Sequence, residues 1–439
     1  MMITTLPTEL LQHFLSFYSY LWRHLYLNAF DPPVAIYAHS QTDYHWKSQL
    51  IARVKAFSIF FHGPLSAEHR RSALRTILAL VEDSIAAASR TGASENISGL
   101  KKVLFKSNLL SNLYSASDSP EDVQLTSQLK SYLALVVTNN KPDVTTPDNQ
   151  SLLAVLAKRD ISRAYVYDLR NYTAKTRWGP FMPDGSVNWV HVEHLVNVVA
   201  LNVRELPGAW PKTRPPSCLD LSRRRSHDWA GVEGRRPSFY LSNTIRPFTQ
   251  GTWRRYVCFM DYRDLFGMSP FVHVSQDLLT LRQAFNFTEM ADGPRHPKFF
   301  KDPRFREATR LIEVKTSIVP IEQLRFLRLP EAQPCPSSAA LDRSPLCFIG
   351  SSKGVNGNEA AMEGAVIEGE DGVPRWYFMS IYDNTPQWSS CGVQLGGSGS
   401  PMGVVGVWTT NNHEDDDPVG PFWLWKVDDN SPTHLMEYT

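Results

Sequence analysis

The sequence lacks the features that would place it among secreted, membrane or zinc-stabilised proteins. Its five cysteines are scattered along 439 residues without a CxxC pair, which argues against a disulfide framework or a zinc ribbon. No apolar run reaches the roughly 18 residues of a membrane span, and residues 1–15 lack the basic and apolar segments of a secretory signal. These absences predict a soluble protein of the cytoplasm, the nucleus or both.

The sequence also lacks an excess of positive or negative charge. The 45 Lys and Arg residues nearly balance the 44 Asp and Glu residues, so the chain is close to neutral. A basic patch is the usual electrostatic sign of a nucleic-acid partner, and clustered basic residues also mark proteins of anionic membrane surfaces. We therefore expect neither partner.

Recognisable catalytic and cofactor motifs are missing as well. No GxGxxG or P-loop sequence occurs. The segment Gly396–Ser400 differs from a nucleophile elbow because Ser400 replaces the final glycine and the segment joins two predicted strands. His191 and His194 lie three residues apart without a third ligand or an HExxH pattern. The sequence thus predicts a protein that is not an enzyme and holds no cofactor or metal.

The clearest pattern that is present lies in residues 363–427. Short runs rich in Val, Ile, Trp, Tyr and Phe alternate there with turn signals, which predicts an antiparallel β-meander. Residues 256–262 and 310–319 are predicted to add strands. Alternate side chains leave opposite faces of a sheet, and both faces are apolar here, so we expect both to be covered. This favours a barrel-like or sandwich-like domain.

Helical spacing dominates the chain before this β-rich part. Apolar residues recur every three or four positions between residues 68 and 172, and again between 189 and 203. In residues 44–57, Trp46 and Val54 are predicted to face a core and Arg53 to face solvent. The predicted fold class is α+β, with an N-terminal all-α region and a C-terminal antiparallel β-rich domain.

Several segments resemble one protein family in the same order along the chain. The N-terminal LPTELLQHFLSF resembles the opening helix of an F-box, with apolar positions at Leu6, Pro7, Leu10, Leu11 and Phe14. Residues 178–195 (WGPFMPDGSVNWVHVEHL), 252–265 (TWRRYVCFMDYRDL) and the C-terminal order QWSS, GVVGVWT, GPFWLWK are similar to a large family of fungal (basidiomycete) F-box proteins.

The resemblance implies a substrate-recognition subunit of an SCF-type cullin-RING ubiquitin ligase. Residues 1–57 would be an incomplete F-box-like module, 58–175 a helical spacer, and 176–439 a substrate-binding domain with a linker at 204–236. The implied partners are a Skp-type adaptor, which would contact the five F-box-like positions, a cullin scaffold and a protein substrate. Four tryptophans are predicted to contact a partner at an exposed groove: Trp388, Trp408, Trp423 and Trp425.

Two departures from the family pattern leave alternatives open. The central helices of the F-box are missing after Phe17, and residues 235–251 interrupt a segment that is continuous in the family; they are either a genuine loop or a misassigned exon boundary. The alternative function is a ligand- or protein-binding β-barrel module that does not assemble into a ligase. In that case Trp423 and Trp425 would line a cavity with Trp408, and residues 396–399 would form its rim.

Overall fold

The structure is a computed structural model, and helices precede strands along the chain. It describes residues 20–33, 44–62, 66–91, 94–106, 119–137, 149–205, 213–218, 249–260, 297–301, 305–328, 345–355, 357, 359–397, 400–414, 417–430 and 436–438. Contacts divide the chain into two units, one of Met1–Lys130 with Leu219–Phe239 and one of Ser131–Cys218 with Tyr240–Thr439. The predicted α+β class is confirmed, while the predicted boundaries at residues 57 and 175 stay predictions.

The first unit is helical. Its helices are α1 (residues 20–29), α2 (Trp46–His62), α3 (Ala67–Thr91), α4 (Glu95–Lys106) and the start of α5 (Pro120–Val137). Ser94 caps α4, because its Oγ accepts from Ile97 N at 3.0 Å, and Ser119 caps α5 through Asp122 N at 3.2 Å. The core contains these fully or almost fully buried side chains: Tyr26, Phe30, Trp46, Leu74, Ile77, Leu80 and Leu100.

The predicted orientation of α2 is wrong at two positions. Val54 is 54% exposed, whereas Arg53 is 3% exposed. Arg53 forms a 2.5 Å salt bridge with Asp83 of α3, and its guanidinium lies 4.8 Å from the centre of the Tyr26 ring. A carboxylate and an aromatic face together compensate the loss of water around this cation, which residue type and spacing did not indicate.

The second unit places two helices beside a β-sheet. They are α6 (Asn149–Val166) and α7 (Trp189–Glu205), and most side chains of α7 are buried. The helical spacing of residues 189–203 predicted α7, and the structure confirms it. No helix in the described ranges combines the length and apolarity needed to cross a bilayer.

The sheet closes on itself. Its strands are β1 (Gly251–Met260), β2 (Glu307–Ile318), β3 (Leu346–Lys353), β4 (Glu359–Glu368), β5 (Pro374–Tyr382), β6 (Thr385–Gln394), β7 (Val404–Thr410), β8 (Val419–Lys426) and β9 (Met436–Tyr438). Each strand from β1 to β8 pairs antiparallel with its neighbours in sequence, and β8 pairs with β1. The predicted meander is therefore confirmed, as an eight-stranded up-and-down barrel.

Closure depends on pairs that are distant in sequence. Trp253 of β1 lies opposite Val314 of β2 on one side and Lys426 of β8 on the other. The short β9 pairs with residues 309–311 of β2, whereas β3 pairs with residues 313–318 of the same strand. A closed barrel leaves no row of unpaired backbone groups along its first and last strands.

Other parts of the same unit cover the outer wall of the barrel. Helix α7 packs against β8, β7 and β1. Arg375 of β5 donates to Gly185 O at 2.9 Å, and the carboxylate of Glu363 on β4 accepts from three successive backbone N–H groups of residues 325–327. Both faces of these strands are thus buried, as the apolar pattern on both faces predicted.

Candidate ligand-binding site

Contacts across the barrel show which side chains face its interior. Arg255 on β1 donates from Nη2 to the Ser390 hydroxyl on β6 at 2.9 Å, and the Trp253 ring lies 5.3 Å from the Trp376 ring on β5. β1 pairs only with β2 and β8, so contacts with β5 and β6 must cross the interior. Side chains alternate along a strand, and the odd-numbered residues of β1 therefore point inward.

One end of the interior, the Trp253 end, is filled by aromatic and polar side chains. Trp253 Nε1 donates to Thr316 Oγ1 at 3.0 Å, and Trp376 Nε1 donates to Gln394 Oε1 at 3.3 Å. Phe348 completes the layer, with its ring 5.6 Å from that of Trp376. These five side chains are all buried, so this end of the barrel is closed.

The opposite end, the Trp388 end, keeps interior side chains in contact with solvent. Trp388 and Trp408 meet edge to face with ring centres 5.2 Å apart, and Trp408 Nε1 donates to Cys258 O at 3.1 Å. This hydrogen bond passes close to Gly420 on the strand between them. A Cβ at position 420 would lie 2.1 Å from Cys258 O, so only glycine leaves room for the bond. Four inward-facing side chains at this end are half-buried: Val257, Phe259, Trp388 and Thr410.

Arg255 lies between these two ends. Its side chain is buried, and its guanidinium lies 4.9 Å and 4.5 Å from the ring centres of Phe378 and Phe422. The Ser390 hydroxyl is its one hydrogen-bond acceptor in the described parts of the chain, and its Nε has none. Burial lowers the Arg255 pKa to about 9, which still leaves the group cationic at neutral pH.

The structure separates the four tryptophans that were predicted to contact a partner. Trp388 and Trp408 lie together inside the barrel, with only Trp388 half-buried. Trp423 and Trp425 face outward and are buried; Trp423 Nε1 donates to Met402 O at 2.7 Å, and Trp425 stacks on Tyr256. The prediction of a cavity lined by Trp423, Trp425 and Trp408 is therefore wrong. Trp423 and Trp425 lie on the opposite face of the sheet from Trp408.

The glycine-rich turn also differs from its predicted place. It joins β6 to β7 beyond Gln394, which makes it part of the Trp253 end. Gly396 and Gly397, the described residues of the predicted rim at 396–399, thus lie away from the half-buried aromatic side chains that the rim was expected to border. The turn itself is confirmed, and Gly396 and Gly397 both have positive φ, as a sharp reversal of the chain requires.

The two histidines of α7 bond to neighbouring side chains. The Tyr172 hydroxyl donates to Val166 O at 2.6 Å, so its oxygen accepts from His191 Nε2 at 3.0 Å. Burial lowers the His191 pKa to about 3, and the ring is neutral. His194 Nδ1 lies 3.1 Å from the Ser162 hydroxyl. Among the described residues, no group of three His, Cys, Asp or Glu side chains is placed to hold a metal ion.

A serine and a histidine meet outside the barrel, between β6 and the loop after β7. Ser389 Oγ lies 3.4 Å from His413 Nε2, and the His413 ring stacks on Trp178 at 4.1 Å. His413 Nδ1 is buried without a hydrogen-bond acceptor in the described ranges. A serine nucleophile needs a base whose second ring nitrogen is hydrogen-bonded to a third group, and no described group bonds to His413 Nδ1.

The thiols of Cys258 and Cys391 do not favour nucleophilic chemistry either. Burial raises the pKa of Cys258 and of Cys391 to about 12, which keeps both protonated near neutral pH. Cys258 Sγ lies 3.6 Å from Thr309 Oγ1, and Cys391 Sγ donates to Arg177 O at 3.7 Å. Cys258 is buried and Cys391 is half-buried.

One predicted set of positions lies outside the described structure, and one interior residue was not predicted. The five F-box-like positions Leu6, Pro7, Leu10, Leu11 and Phe14 lie outside the described residues. Arg255, a buried interior cation that forms no ion pair with the described side chains, was missed; the signal was the alternation of side chains in Thr252–Phe259, which places Arg254 and Arg255 on opposite faces. Comparison of the chain with protein-family profiles, curated proteins and solved structures finds no match.

Proposed function

We propose that the chain is the substrate-recognition subunit of an SCF-type ubiquitin ligase in the cytoplasm or nucleus. In this proposal its N-terminal F-box-like segment binds a Skp-type adaptor on a cullin scaffold, and the β-barrel unit binds the protein that is to be modified. The ordered resemblance of residues 6–17, 178–195, 252–265 and 387–426 to fungal F-box proteins supports it. The subunit would act by holding its target near a separate catalytic subunit, which raises the effective concentration of the target.

The chemistry of the described side chains supports a role that is not enzymatic. The thiols of Cys258 and Cys391 are protonated, and His191 is buried and neutral. In the Ser389–His413 pair, His413 Nδ1 has no hydrogen-bond partner among the described residues. A receptor needs none of these groups to be reactive. It needs a stable surface, and a closed barrel whose strands β2, β3 and β6 keep exposed outward side chains provides one.

The surface that follows the F-box-like segment supports the adaptor-binding part of the proposal. Helix α1 begins the described chain and exposes three large apolar side chains, Tyr20 at 61%, Leu21 at 43% and Leu25 at 41%. Adjacent exposed apolar side chains are typical of helices that a partner covers. The incomplete F-box would thereby gain contact area from α1.

The test is co-purification of the full-length chain with the Skp-type adaptor. We expect the unmodified chain to retain the adaptor and Leu10→Asp to weaken retention by about 30-fold or more, as loss of an interface hot spot does. Gln12→Asp, a polar position of the same segment, is the matched control and should bind normally. If the unmodified chain fails to retain the adaptor while a chain with a complete F-box succeeds, the ligase proposal is wrong for this sequence.

The second candidate function is a ligand-binding β-barrel that does not join a ligase. The specific observation in its favour is the buried Arg255 inside the barrel, together with the half-buried aromatic side chains of Phe259 and Trp388 at the Trp388 end. Eight-stranded barrels are wide enough to hold one small ligand when side chains do not fill them. Binding of a small molecule with no retention of the adaptor would favour this candidate.

A further inference from the structure

We propose that the β-barrel binds a small organic carboxylate with an apolar body, and that its carboxylate pairs with the guanidinium of Arg255. This site does not depend on ligase assembly, because every residue that forms it belongs to the barrel. Ligand binding could accompany substrate recognition or replace it.

The first argument is the missing counter-ion. Arg255 is 4% exposed, and it forms no ion pair with any side chain of the described chain. By contrast, Arg53 and Arg163 are buried to a similar degree, and each bonds to a carboxylate, Asp83 and Glu307 respectively. A buried charge is costly unless it is paired, so Arg255 is the exception that an anionic ligand would explain.

The second argument is the geometry of the guanidinium. The Phe378 and Phe422 ring centres lie 4.9 Å and 4.5 Å from the guanidinium, within the distance of cation–π contacts. The donors lie in its plane. Nη2 donates to Ser390, and the buried Nε has no acceptor. An in-plane approach suits the planar carboxylate, which pairs with guanidinium by two parallel hydrogen bonds.

The third argument concerns the body of the ligand and its entry. Most inward-facing side chains named between Arg255 and the Trp388 end are apolar or aromatic, namely Val257, Phe259, Trp408 and Trp388. Thr410 and Arg310 also face inward there, and the Arg310 guanidinium lies 4.5 Å from the centre of the Phe259 ring. Val257, Phe259 and Trp388 are half-buried, whereas the layer of Trp253, Trp376 and Phe348 at the other end is fully buried. Solvent therefore reaches the interior from the Trp388 end. Binding sites of this kind combine a mostly apolar lining with few polar groups that fix orientation.

The test compares decanoate with decanol, which has the same chain length and no charge. Isothermal titration of the full-length protein should show decanoate binding at least about tenfold more tightly than decanol, the contribution of a buried charge-assisted pair. Arg255→Met should abolish this preference. Arg254→Met, which removes the neighbouring arginine on the outer face, is the matched control and should keep it.

Thermal unfolding separates a binding role of Arg255 from a structural one. Without a ligand, Arg255→Met should unfold at the same temperature as the unmodified protein or at a higher one, because the substitution removes an unpaired buried charge. Decanoate should raise the unfolding temperature of the unmodified protein but not that of the variant. If Arg255→Met does not fold, Arg255→Lys keeps a cation without the planar pair of donors and should show a reduced preference for decanoate.

Three results would overturn the proposal. The first is no measurable binding of decanoate to the unmodified protein. The second is equal affinity for decanoate and decanol. The third is an unchanged preference for decanoate in Arg255→Met or Arg255→Lys. Failure of the adaptor to co-purify would leave all three measurements unaffected, so the two proposals fail independently.

Discussion

Single residues in this protein show how burial changes chemistry. His191 is 2% exposed, and burial, with a smaller contribution from His194, lowers its pKa to about 3. In the unfolded chain the imidazole would titrate near its ordinary value of about 6.5. The folded protein therefore resists protonation of a group that the unfolded chain protonates readily.

The sign of the resulting pH dependence follows directly. Below about pH 6.5 His191 binds a proton in the unfolded state but not in the folded state. The free energy of unfolding therefore falls as the pH decreases towards 3. At pH 5 this group alone should cost about 2 kcal/mol of unfolding free energy relative to pH 8. Urea titrations at pH 8, 6.5 and 5 measure it. His191→Gln keeps an N–H donor for the Tyr172 oxygen, and its stability should depend less on pH; equal pH dependence in both proteins would contradict the assignment.

The residue scale also shows what the sequence could and could not predict. The period of two correctly placed Trp423 and Trp425 on one face of a strand, but it did not indicate which face was inside, because Phe422 and Leu424 on the other face are equally apolar. For the same reason the sequence did not show that Arg255 faces the interior of the barrel. Its neighbour Arg254 has identical chemistry, and only contacts with Ser390 and Phe378 across the barrel distinguish them.

At the scale of elements, one buried polar network joins helix α6 to the barrel. Arg163 of α6 donates from Nε to Glu307 of β2 at 2.8 Å and from Nη2 to Asn202 of α7 at 3.2 Å. The Tyr167 hydroxyl also donates to Glu307. Ala164, Tyr167, Met260, Phe300 and Phe305 form the apolar cluster beside it. The network therefore fixes where α6 lies on β2.

Glu307→Gln should destabilise the second unit by about 3 kcal/mol or more, because it leaves the Arg163 cation buried without a counter-charge. Glu359→Gln is the matched control; it removes a carboxylate from an exposed pair with Lys353 and should cost less than about 1 kcal/mol. The free energy of unfolding from urea titration measures both. Equal losses in the two variants would show that the network around Glu307 contributes no more than a surface pair.

Elements were predicted with unequal success for a physical reason. The strands from β3 to β8 follow one another through short turns, so the turn signals near Asp371, Asp383 and Gly396 were sufficient to indicate a meander. The orientation of α2 depends on Asp83 of another helix, which compensates the buried Arg53. A pattern within one helix cannot show such a partner. Likewise, closure of the barrel is a pairing between β1 and β8 that no local signal indicates.

At the scale of the whole molecule, barrel closure makes the C-terminal region indispensable to the second unit. A chain that ends at Pro418 lacks β8, which would leave β1 and β7 each with an unpaired side and the interior open between them. We expect this truncation to lose the β-sheet signal in circular dichroism and to aggregate in size-exclusion chromatography. A chain that ends at Asn430 lacks only residues 431–439, including β9, and should keep the fold. A monomeric, β-rich protein ending at Pro418 would contradict this expectation.

The pairing of the first barrel strand with the last one has a consequence for biosynthesis. After β1 leaves the ribosome, residues 261–418 must be added before β8 begins, which takes roughly 8 to 30 seconds at ordinary elongation rates. During this interval the nascent chain carries β1 without its final neighbour, and the future interior aromatic side chains stay exposed. Chaperone demand in the cell is therefore expected to peak late in translation.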